Sequence, residues 1–408
     1  MISVAEARKK ILDVFAPLAA EDVSLADAMG RVLAVDAISR VTQPPADVSA
    51  MDGYAVRAVD VAKVPATLKL IGAAPAGRAF AGKVGAGQAV RIFTGGPVPD
   101  DADAVVIQEN TDASGDTVIV KEASAQGRHI RPAGQDFRAG DTGLRAGRKL
   151  TARDIGLAAA MNLPWLSVRR RPRVAILATG DEVVRPGDPL GPDQIVSSNT
   201  WALAAFVRSR GGEAINLGIA ADTRDSVIAC ARGAAGCDLL VTSGGASVGE
   251  HDLVQSALGA LGLKVEFWKI AMRPGKPLMF GQLGPQVGEA MFLGLPGNPV
   301  SALVCALLFL GPALDRMLGL PDAPAATQTA LLGNDLRAND GREDYLRATL
   351  VREPGGESIA TPFATQDSSM LSRLAAADCL IVRAANAPAA KKGERVAIIP
   401  LAVAGNGL

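Results

Sequence analysis

The sequence predicts a multidomain protein in which a doubly wound α/β domain is combined with β-rich domains. Its 408 residues exceed the size of one ordinary hydrophobic core. Strand-length apolar runs alternate with helical patterns between residues 171 and 320, which is typical of a parallel sheet covered by helices on both faces. Shorter strand-like runs, separated by Gly, Pro and Asp turns, occupy residues 46–139 and 321–408. We therefore expect one Rossmann-like domain and two smaller β domains.

The N-terminal region carries a helical pattern. It begins after Ser3 and has a second start signal at Ser24, and a further helix capped by Thr151 is predicted in "TARDIGLAAAMNL". Packing of these helices against one another would form a platform interrupted by an inserted β module. The predicted domains are residues 1–45 with 140–170, residues 46–139, residues 171–320 and residues 321–408.

Within the α/β domain, each element has its own pattern. Strands are predicted at "RVAILAT", "EAINLGIAA" and "CDLLVTS", with helices near "SNTWALAAFVRSRGG" and "TRDSVIACARGAA" between them. The longest apolar run, Val300 to Leu314, is shorter than the roughly 20 residues that span a bilayer, and Gly311-Pro312 interrupts it. It is therefore predicted to be a buried helix rather than a membrane span.

Composition narrows the classes of function. Lys plus Arg equal Asp plus Glu at 42 each, which argues against general binding to nucleic acid or to a membrane. The four cysteines form no C-x-x-C pair and there are only two histidines, so we expect no zinc centre. Reduced thiols and charges in the N-terminal segment predict a cytoplasmic protein without a secretory signal. The α/β region has no G-x-G-x-x-G and the chain has no G-x-S-x-G, which disfavours nicotinamide chemistry and serine hydrolysis.

Three glycine-containing loops follow strands of the α/β domain: "TGDEV", "SGGASVGEHD" and "LPGNPVS". Each alone has a structural interpretation, in which Asp252 caps the next helix or Asn298 is a cap with Pro299 at the first helical position. Parallel strands end at one edge of a sheet, so the three loops are expected to lie together. Their backbone N–H groups and helix N-termini then predict a phosphate-bearing ligand.

Charged residues accompany these loops. Lys269, Arg273 and Lys276 lie between the second and third loops, where they could clamp phosphate or an oxyanion, although a solvated face is the usual explanation of such spacing. Carboxylates that could hold Mg²⁺ together with substrate phosphates are Glu182 and Asp252, with Asp222 as a further candidate. Each of these acidic residues could instead be a surface cap, and Asp222 before Thr223 fits that alternative.

Several motifs, in order along most of the chain, resemble the molybdopterin molybdenumtransferase family, to which MoeA and the E domain of gephyrin belong. They are "SAMDGYAVR", "FTGGPVP", "RPAGQDFRAGD", "ATGDEV", "SSNTWAL", "TSGGASVGEHD", "WKIAMRPGKP" and "GLPGNPVSA". The resemblance implies an elongated four-domain homodimer with a molybdopterin-binding type of α/β domain and a small C-terminal β-barrel. It also implies that adenylylated molybdopterin and molybdate are the substrates, and that AMP is released with the help of Mg²⁺.

The resemblance also implies roles for individual residues. Catalytic residues would be Asp52, Thr94, Asp136, Glu182, Asp222 and Asp252, with Glu182, Asp252 and Asp222 as metal ligands. The substrate would be bound by Gly244, Gly245, Ser247, Gly249, Lys269, Arg273, Lys276, Pro296, Gly297, Asn298, Pro299, Arg347 and Ser368. Because the β module and the α/β domain of one elongated subunit would be far apart, a site completed across the homodimer is expected. Molybdopterin adenylyltransferase and maturation factors of molybdoenzymes are the partners that this chemistry suggests.

Two other functions stay open at this point. The α/β domain alone could belong to a molybdopterin adenylyltransferase, and a gephyrin-like scaffold could retain the fold. In the N-terminal half, Asp52 and Thr94 could each simply form a turn. The chain also departs from the family pattern, because Gln135 stands where a glutamate is frequent and Arg273 where lysine is common.

Overall fold

The computed structural model describes residues 1–244, 251–322, 328–352 and 356–401, without the side chains of His251 and Asp252. These residues fall into two compact units. The first comprises Met1–Glu21, Gly30–Ala34 and Val168–Leu408, and the second comprises Asp22–Met29 and Val35–Ser167. The division into four domains predicted from the sequence stays a prediction.

The described helices and strands are numbered along the chain. Residues 1–171 contain α1 (Val4–Asp13), β1 (Ala20–Ser24), β2 (Ala37–Ile38), β3 (Val48–Ser49), β4 (Gly53–Val56), β5 (Ala66–Ala74), β6 (Gln88–Ile92), β7 (Ala104–Ile107), β8 (Thr111–Ser114), β9 (Thr117–Val120), β10 (Ile130–Arg131), β11 (Thr142–Leu144), α2 (Ala152–Ala160) and β12 (Trp165–Arg169). Residues 172–322 contain β13 (Arg173–Thr179), β14 (Val183–Val184), β15 (Ile195–Val196), α3 (Asn199–Ser209), β16 (Glu213–Ala220), α4 (Arg224–Ala231), β17 (Leu239–Ser243), α5 (His251–Gly259), β18 (Lys264–Trp268), β19 (Met272–Arg273), β20 (Met279–Gln282), β21 (Met291–Leu295), α6 (Pro299–Cys305) and α7 (Gly311–Met317). Residues 328–401 contain β22 (Gln328–Leu332), β23 (Glu343–Arg352), β24 (Ser358–Pro362), α8 (Leu371–Ala375), β25 (Cys379–Arg383) and β26 (Arg395–Pro400).

The first predicted helix is confirmed and the second is wrong. Helix α1 begins after Ser3, whose hydroxyl accepts a hydrogen bond from the N–H of Glu6 at 3.1 Å, as expected of an N-cap. After Ser24 there is only a single 3₁₀ turn, Leu25–Asp27. The Ser24 hydroxyl donates to the Asp27 carboxylate instead of capping a helix, and Gly30 with φ +74° ends the segment before a second turn can form.

The second unit contains the predicted β module. Six strands pair in the order β7-β4-β6-β5-β9-β8, and buried apolar residues form a cluster on each of two faces. Helix α2 follows this module, and Thr151 precedes its first residue as predicted. The backbone N–H and the hydroxyl of Thr151 both donate to the Asp154 carboxylate at 2.8 Å, which fixes the start of the helix.

The α/β domain is built on a six-stranded sheet in the order β16-β13-β17-β21-β20-β18. The first four strands are parallel, as predicted, but β20 is antiparallel to both of its neighbours. The sheet is therefore mixed, because the predicted parallel strands are joined by one antiparallel strand. Parallel neighbours need a long crossover, whereas the connections on either side of β20 contain no α-helix, so the chain can only turn back on itself.

Helices cover both faces of this sheet, which confirms the doubly wound arrangement. Apolar residues of α1, α3 and the helix Pro299–Met317 lie in one core cluster, and those of α4 and α5 lie in the other. The helix Pro299–Met317 is long and apolar enough to cross a membrane by length and composition, but 83% of its apolar window is buried inside the protein. It is the predicted buried helix, and it forms a large part of the core.

The C-terminal strands confirm the predicted β-barrel. Strands β23, β24, β22, β26 and β25 are hydrogen-bonded in that order, and β25 pairs again with β23, which closes the ring. A separate apolar cluster fills its interior. The short strand β19 leaves the α/β domain and pairs with β23 through Met272 and Arg273, so that the barrel is joined directly to the α/β domain.

Candidate functional site

A cavity of about 510 Å³ lies at the carboxyl ends of β13, β17 and β21. This is the sheet edge at which the three glycine-containing loops were predicted to meet, and their described residues do line one cavity. Its described lining residues are Ala178, Thr179, Gly180, Glu182, Val183, Ile195, Val196, Ser197, Ser198, Asn199, Asp222, Ser243, Gly244, Pro277, Pro296, Gly297, Asn298, Pro299 and Ser369. The position matches the general rule that open α/β sheets bind ligands outside the carboxyl ends of their strands.

The acidic wall of the cavity is formed by Glu182 and Asp222. The loop after β13 and the loop after β16 are joined by two reciprocal hydrogen bonds. The N–H of Asp222 donates to the Asp181 carboxylate at 2.9 Å, and the N–H of Asp181 donates to the Asp222 carboxylate at 3.3 Å. The cap of α4 is Thr223, whose hydroxyl accepts from the N–H of Ser226. Asp222 is therefore a lining residue, and its interpretation as a helix cap is wrong.

The second loop approaches the first closely at Gly244. Its φ is +103°, and a Cβ added there would lie 2.7 Å from the carbonyl oxygen of Thr179, so only glycine fits without strain. The predicted cradle residues Gly245, Ser247 and Gly249 lie outside the described residues. Asp252 is the second residue of α5, so it does not occupy the N-cap, and its side chain also lies outside the described set.

The third loop, Pro296 to Pro299, reaches the cavity at the N-terminus of α6. Pro299 is the first helical residue, as predicted, and Asn298 occupies the N-cap position without forming a side-chain cap. The Asn298 side-chain amide instead donates to the Ser368 hydroxyl at 2.9 Å. The amide of Asn199 donates to the Ser243 hydroxyl at 2.7 Å and to the Gly297 carbonyl at 2.6 Å, which ties the second and third loops together.

The predicted cationic clamps are Lys269, Arg273 and Lys276. None of them is among the described residues that line the cavity, although the neighbouring Pro277 is. Arg273 forms a bidentate ion pair with Asp344 of the barrel, at 2.5 and 2.6 Å. The hydrogen bonds that the Arg273 guanidinium donates to Asp344 raise the pKa of Arg273. Lys269 has φ +72° and places its ammonium 3.7 Å from the centroid of the Trp268 ring. Arg273 thus links two domains, and the role of these cations towards a ligand stays a prediction.

The two predicted barrel residues differ in their surroundings. Ser368 accepts the hydrogen bond from Asn298 and lies beside the cavity. Arg347 is only 1% exposed and is not among the described lining residues. Its guanidinium donates to the side chain of Gln366 and to the carbonyl oxygen of Asp367, and burial lowers its pKa. Arg347 therefore contacts the segment that carries Ser368 rather than the cavity.

In the second unit, Asp52 and Thr94 form one structural pair. A carboxylate oxygen of Asp52 accepts from the N–H of Thr94 at 2.7 Å and from its hydroxyl at 2.8 Å, which lowers the pKa of Asp52. The two predicted turn residues are thus joined across 42 positions of sequence. Asp136 is exposed, and its backbone N–H donates to the carbonyl of Gln43.

The sequence interpretation missed the hydroxyl and amide residues of the cavity: Thr179, Ser197, Ser198, Asn199, Ser243 and Ser369. Their signal was available, because most of them stand in or beside the quoted motifs "ATGDEV" and "SSNTWAL" or in the segment "TQDSSM". The Thr179 hydroxyl is buried and has no hydrogen-bond partner among the described residues. A buried donor of this kind at a cavity wall is suited to a polar ligand.

The donor set of the cavity fits a hard cation. Glu182 and Asp222 supply carboxylates, the hydroxyls supply further oxygens, and no Lys or Arg is among the described lining residues. No group of three or more His, Cys, Asp or Glu suited to a metal occurs in the described part of the chain. Mg²⁺ commonly uses only one or two carboxylates and completes its coordination with water and substrate phosphate, so the chemistry of this pair is compatible with Mg²⁺.

Known families match three regions of the chain. Residues 2–162 match the family described as MoeA N-terminal region (domain I and II), residues 175–316 match the probable molybdopterin binding domain, and residues 329–401 match the MoeA C-terminal region (domain IV). The fold and the cavity thus define a class of protein in which a molybdopterin-binding type of α/β domain lies, along the chain, between a MoeA-like N-terminal region and a MoeA-like C-terminal region.

Whole-chain relatives agree with this. The chain is 38% identical over 365 residues to molybdopterin molybdenumtransferase 2 of Mycobacterium tuberculosis, covering 87% of this chain and 89% of that protein. It is 34% identical to a molybdopterin molybdenumtransferase of Haemophilus influenzae over 98% of both chains. A crystal structure of a molybdopterin biosynthesis MoeA protein from Pyrococcus horikoshii has a TM-score of 0.86 at 29% identity, covering 99% of this chain and 100% of that one.

The chain belongs to the molybdopterin molybdenumtransferase family, and it is a transferase. The resemblance drawn from the motifs is therefore confirmed. The adenylyltransferase and scaffold alternatives are not favoured, because the similarity to transferases spans most of the chain rather than the α/β domain alone.

Proposed function

We propose that this protein transfers molybdenum from molybdate to adenylylated molybdopterin and releases AMP. The observation that carries the proposal is the cavity at the carboxyl ends of β13, β17 and β21, which is lined by Glu182 and Asp222 and by the loop at the N-terminus of α6. Carboxylates together with backbone amides and a helix N-terminus suit a phosphoanhydride with its counter-ion. Family membership supports molybdopterin and molybdate as the substrates.

The reaction has two steps, a ligand exchange at molybdenum and the hydrolysis of a phosphoanhydride, and neither changes the oxidation state of molybdenum. Two dithiolene thiols bind the molybdenum of molybdate, and one oxide ligand leaves as water with the two thiol protons. Cleavage of the phosphoanhydride P–O bond by water separates AMP from the pterin phosphate. Phosphoryl chemistry of this kind is accelerated mainly by positioning and by neutralisation of charge.

The residues of the chain divide these tasks. Glu182 and Asp222 would hold Mg²⁺, with Asp252 as the third predicted ligand, and Mg²⁺ would supply charge neutralisation at the phosphate oxygens. Gly244, Gly297 and the α6 N-terminus would bind phosphate through the backbone, with Gly245, Ser247 and Gly249 completing the predicted cradle. Lys269 and Lys276 would balance the charge of molybdate.

The functional unit that we propose is a cytoplasmic homodimer in which Asp52, Thr94 and Asp136 of one subunit complete the cavity of the other. This rests on the family resemblance. Mixing inactive Asp52→Asn and Glu182→Gln subunits tests it, because each mixed dimer would contain one intact site. Random exchange should then restore about a quarter of the wild-type activity. Activity that stays at the level of the separate variants would refute a shared site.

The central experiment is a turnover assay with the purified protein, adenylylated molybdopterin, molybdate and Mg²⁺. AMP and metal-loaded cofactor should appear together, and both should depend on molybdate and on Mg²⁺. AMP release that is independent of molybdate would indicate a simple hydrolase. No AMP release under any of these conditions would overturn the proposal.

A further inference from the structure

One segment of the barrel, residues 366–369, reaches the cavity of the α/β domain. The carbonyl of Ser368 accepts a hydrogen bond from the N–H of Val300 at 3.1 Å, and its hydroxyl accepts from Asn298. Val300 is the second residue of α6, so its N–H belongs to the first turn and has no partner within the helix. The next residue, Ser369, lines the cavity. The barrel thus supplies both the backbone cap of α6 and part of the cavity wall.

The conformation of this segment is fixed at its start by the side chain of Gln366. Its carbonyl oxygen accepts from the backbone N–H of Arg347 at 3.0 Å and from the Arg347 guanidinium at 3.1 Å. Its NH₂ group donates to the carbonyls of Arg347 and Phe363 at 2.9 and 3.0 Å. Both ends of the amide are therefore engaged, and neither a carboxylate nor an amine could make all four bonds.

Arg347 also holds this segment in place. A second nitrogen of its guanidinium donates to the carbonyl of Asp367 at 2.6 Å. The Asp367 carboxylate accepts from the N–H and the hydroxyl of Ser369 at 2.8 and 2.7 Å, which holds the turn at Ser369. The Arg347 guanidinium donates to two amide oxygens, that of the Gln366 side chain and that of the Asp367 backbone. The buried guanidinium of Arg347 therefore stabilises the backbone of this segment, and Arg347 is not among the residues that line the cavity.

We propose that Gln366 is a positioning residue of the cavity: with Arg347 it holds residues 366–369 against the first turn of α6, and so places Ser369 on the cavity wall. Arg347 thus acts on the ligand only through this segment. The consequence for catalysis rests on the function proposed above. The effect of Gln366 on the conformation of residues 366–369 does not rest on that function, and it can be measured without substrate.

The test uses Gln366→Ala and Gln366→Glu in the full-length protein, with Gln328→Ala, an exposed glutamine of the same barrel, as the matched control. Hydrogen exchange of the Val300 amide is followed in the free protein, together with the Ala348 amide in the barrel. Both Gln366 variants should exchange about tenfold faster at Val300, because its acceptor is released, while Ala348 stays protected. In turnover, KM for adenylylated molybdopterin should rise about tenfold with a smaller change in kcat.

Gln366→Glu keeps the acceptor for Arg347 and loses only the donors, so it is informative even if Gln366→Ala destabilises the barrel. Unchanged exchange at Val300 in a folded variant would overturn the positioning role. Faster exchange with an unchanged KM would refute its importance for the cavity. If the wild-type protein shows no turnover, the proposed function fails, while the exchange measurement still decides the role of Gln366.

Discussion

Asp181 and Asp222 each accept a hydrogen bond from the backbone N–H of the other, although they are 41 residues apart. This reciprocal pair fixes the end of β13 relative to the end of β16. It also places Glu182, the residue after Asp181, on the same cavity wall as Asp222. The geometry of the proposed metal-binding pair therefore depends on a residue that is itself outside the cavity lining.

Asp181→Ala should weaken binding of Mg²⁺ by about 10- to 100-fold, because loss of a supporting hydrogen bond lets the ligand carboxylate move. The measurement is the Mg²⁺ dependence of AMP release, supported by calorimetry with Mg²⁺ and AMP. Asp188→Ala removes an exposed carboxylate from the following loop, between β14 and β15, and serves as the control. Equal Mg²⁺ affinity in the two variants would contradict the supporting role of Asp181.

Glu182→Gln keeps the size of the side chain and removes its charge. We expect kcat to fall about 100-fold or more at the Mg²⁺ concentration that saturates the wild-type protein, because a neutral amide oxygen binds Mg²⁺ more weakly than a carboxylate does. Raising the Mg²⁺ concentration should restore part of the activity. The recovery separates a metal ligand from a residue that is only structural. A fall in kcat that no concentration of Mg²⁺ relieves would argue against the ligand role.

Gly244→Ala should lower the free energy of unfolding by about 1–3 kcal/mol, because alanine is strained at positive φ and its Cβ would contact the Thr179 carbonyl. Gly259, at the end of α5, has open space around an added Cβ and is the matched control. Gly259→Ala should be neutral or stabilise by about 0.5–1 kcal/mol. Chemical denaturation of both variants provides the comparison, and equal stabilities would show that the close approach at Gly244 is not required.

Arg273→Ala should destabilise the protein by about 1–3 kcal/mol, because it leaves the buried Asp344 carboxylate without its bidentate partner. The exposed pair of Lys391 with Asp335 in the same barrel is the control, and Lys391→Ala should change stability by less than about 0.5 kcal/mol. If linking the two domains is its main role, KM for molybdate stays within about twofold of wild type. A large rise in KM at unchanged stability would instead support the predicted oxyanion clamp.

Thr94→Val should raise the pKa of Asp52 towards its ordinary value of 3.8, because the hydroxyl bond is lost while the N–H bond remains. A lowered pKa means that ionised Asp52 stabilises the fold at pH values above the unfolded pKa, and that this stabilisation is lost as the pH falls through the folded value. The variant should therefore be less stable than wild type above about pH 4 and should converge with it in stronger acid. Unfolding measured from pH 2 to 7 tests this, with Thr67→Val at an exposed position of β5 as the control.

The elements that were predicted well depend on local pattern. The strand at "RVAILAT" and the helix capped by Ser3 follow from apolar periodicity and from a capping residue, and both signals lie within a few residues. The meeting of the loops around Thr179, Ser243 and Pro296 could also be anticipated, because parallel strands fix it. The signal after Ser24 failed because Gly30 and a local hydrogen bond to Asp27 stop the helix after one turn.

What the sequence did not indicate depends on contacts between distant segments. The bond between Asp181 and Asp222, and the bidentate pair of Arg273 with Asp344, join residues far apart in the chain. The sequence pattern does not predict that Arg347 is buried, or that the Asn298 side chain bonds to Ser368 instead of capping its own helix. Such side chains carry the same sequence signal whether they bind a ligand or another loop, and only the packing of the barrel against the α/β domain distinguishes the two.

The reversal of β20 has a consequence for how this fold can diversify. In a wholly parallel sheet every return segment ends at the edge opposite the ligand, and each new ligand-side loop requires another helix. Here Met279, the first residue of β20, pairs with Gly294 near the carboxyl end of β21, so the preceding segment with Lys276 and Pro277 is delivered to the ligand edge. This connection contains no α-helix of its own, although Gly275 within it packs against Cys305 of α6. Because the family resemblance implies that Lys276 binds an oxyanion, we expect differences in oxyanion preference between related enzymes to map to the residues around it.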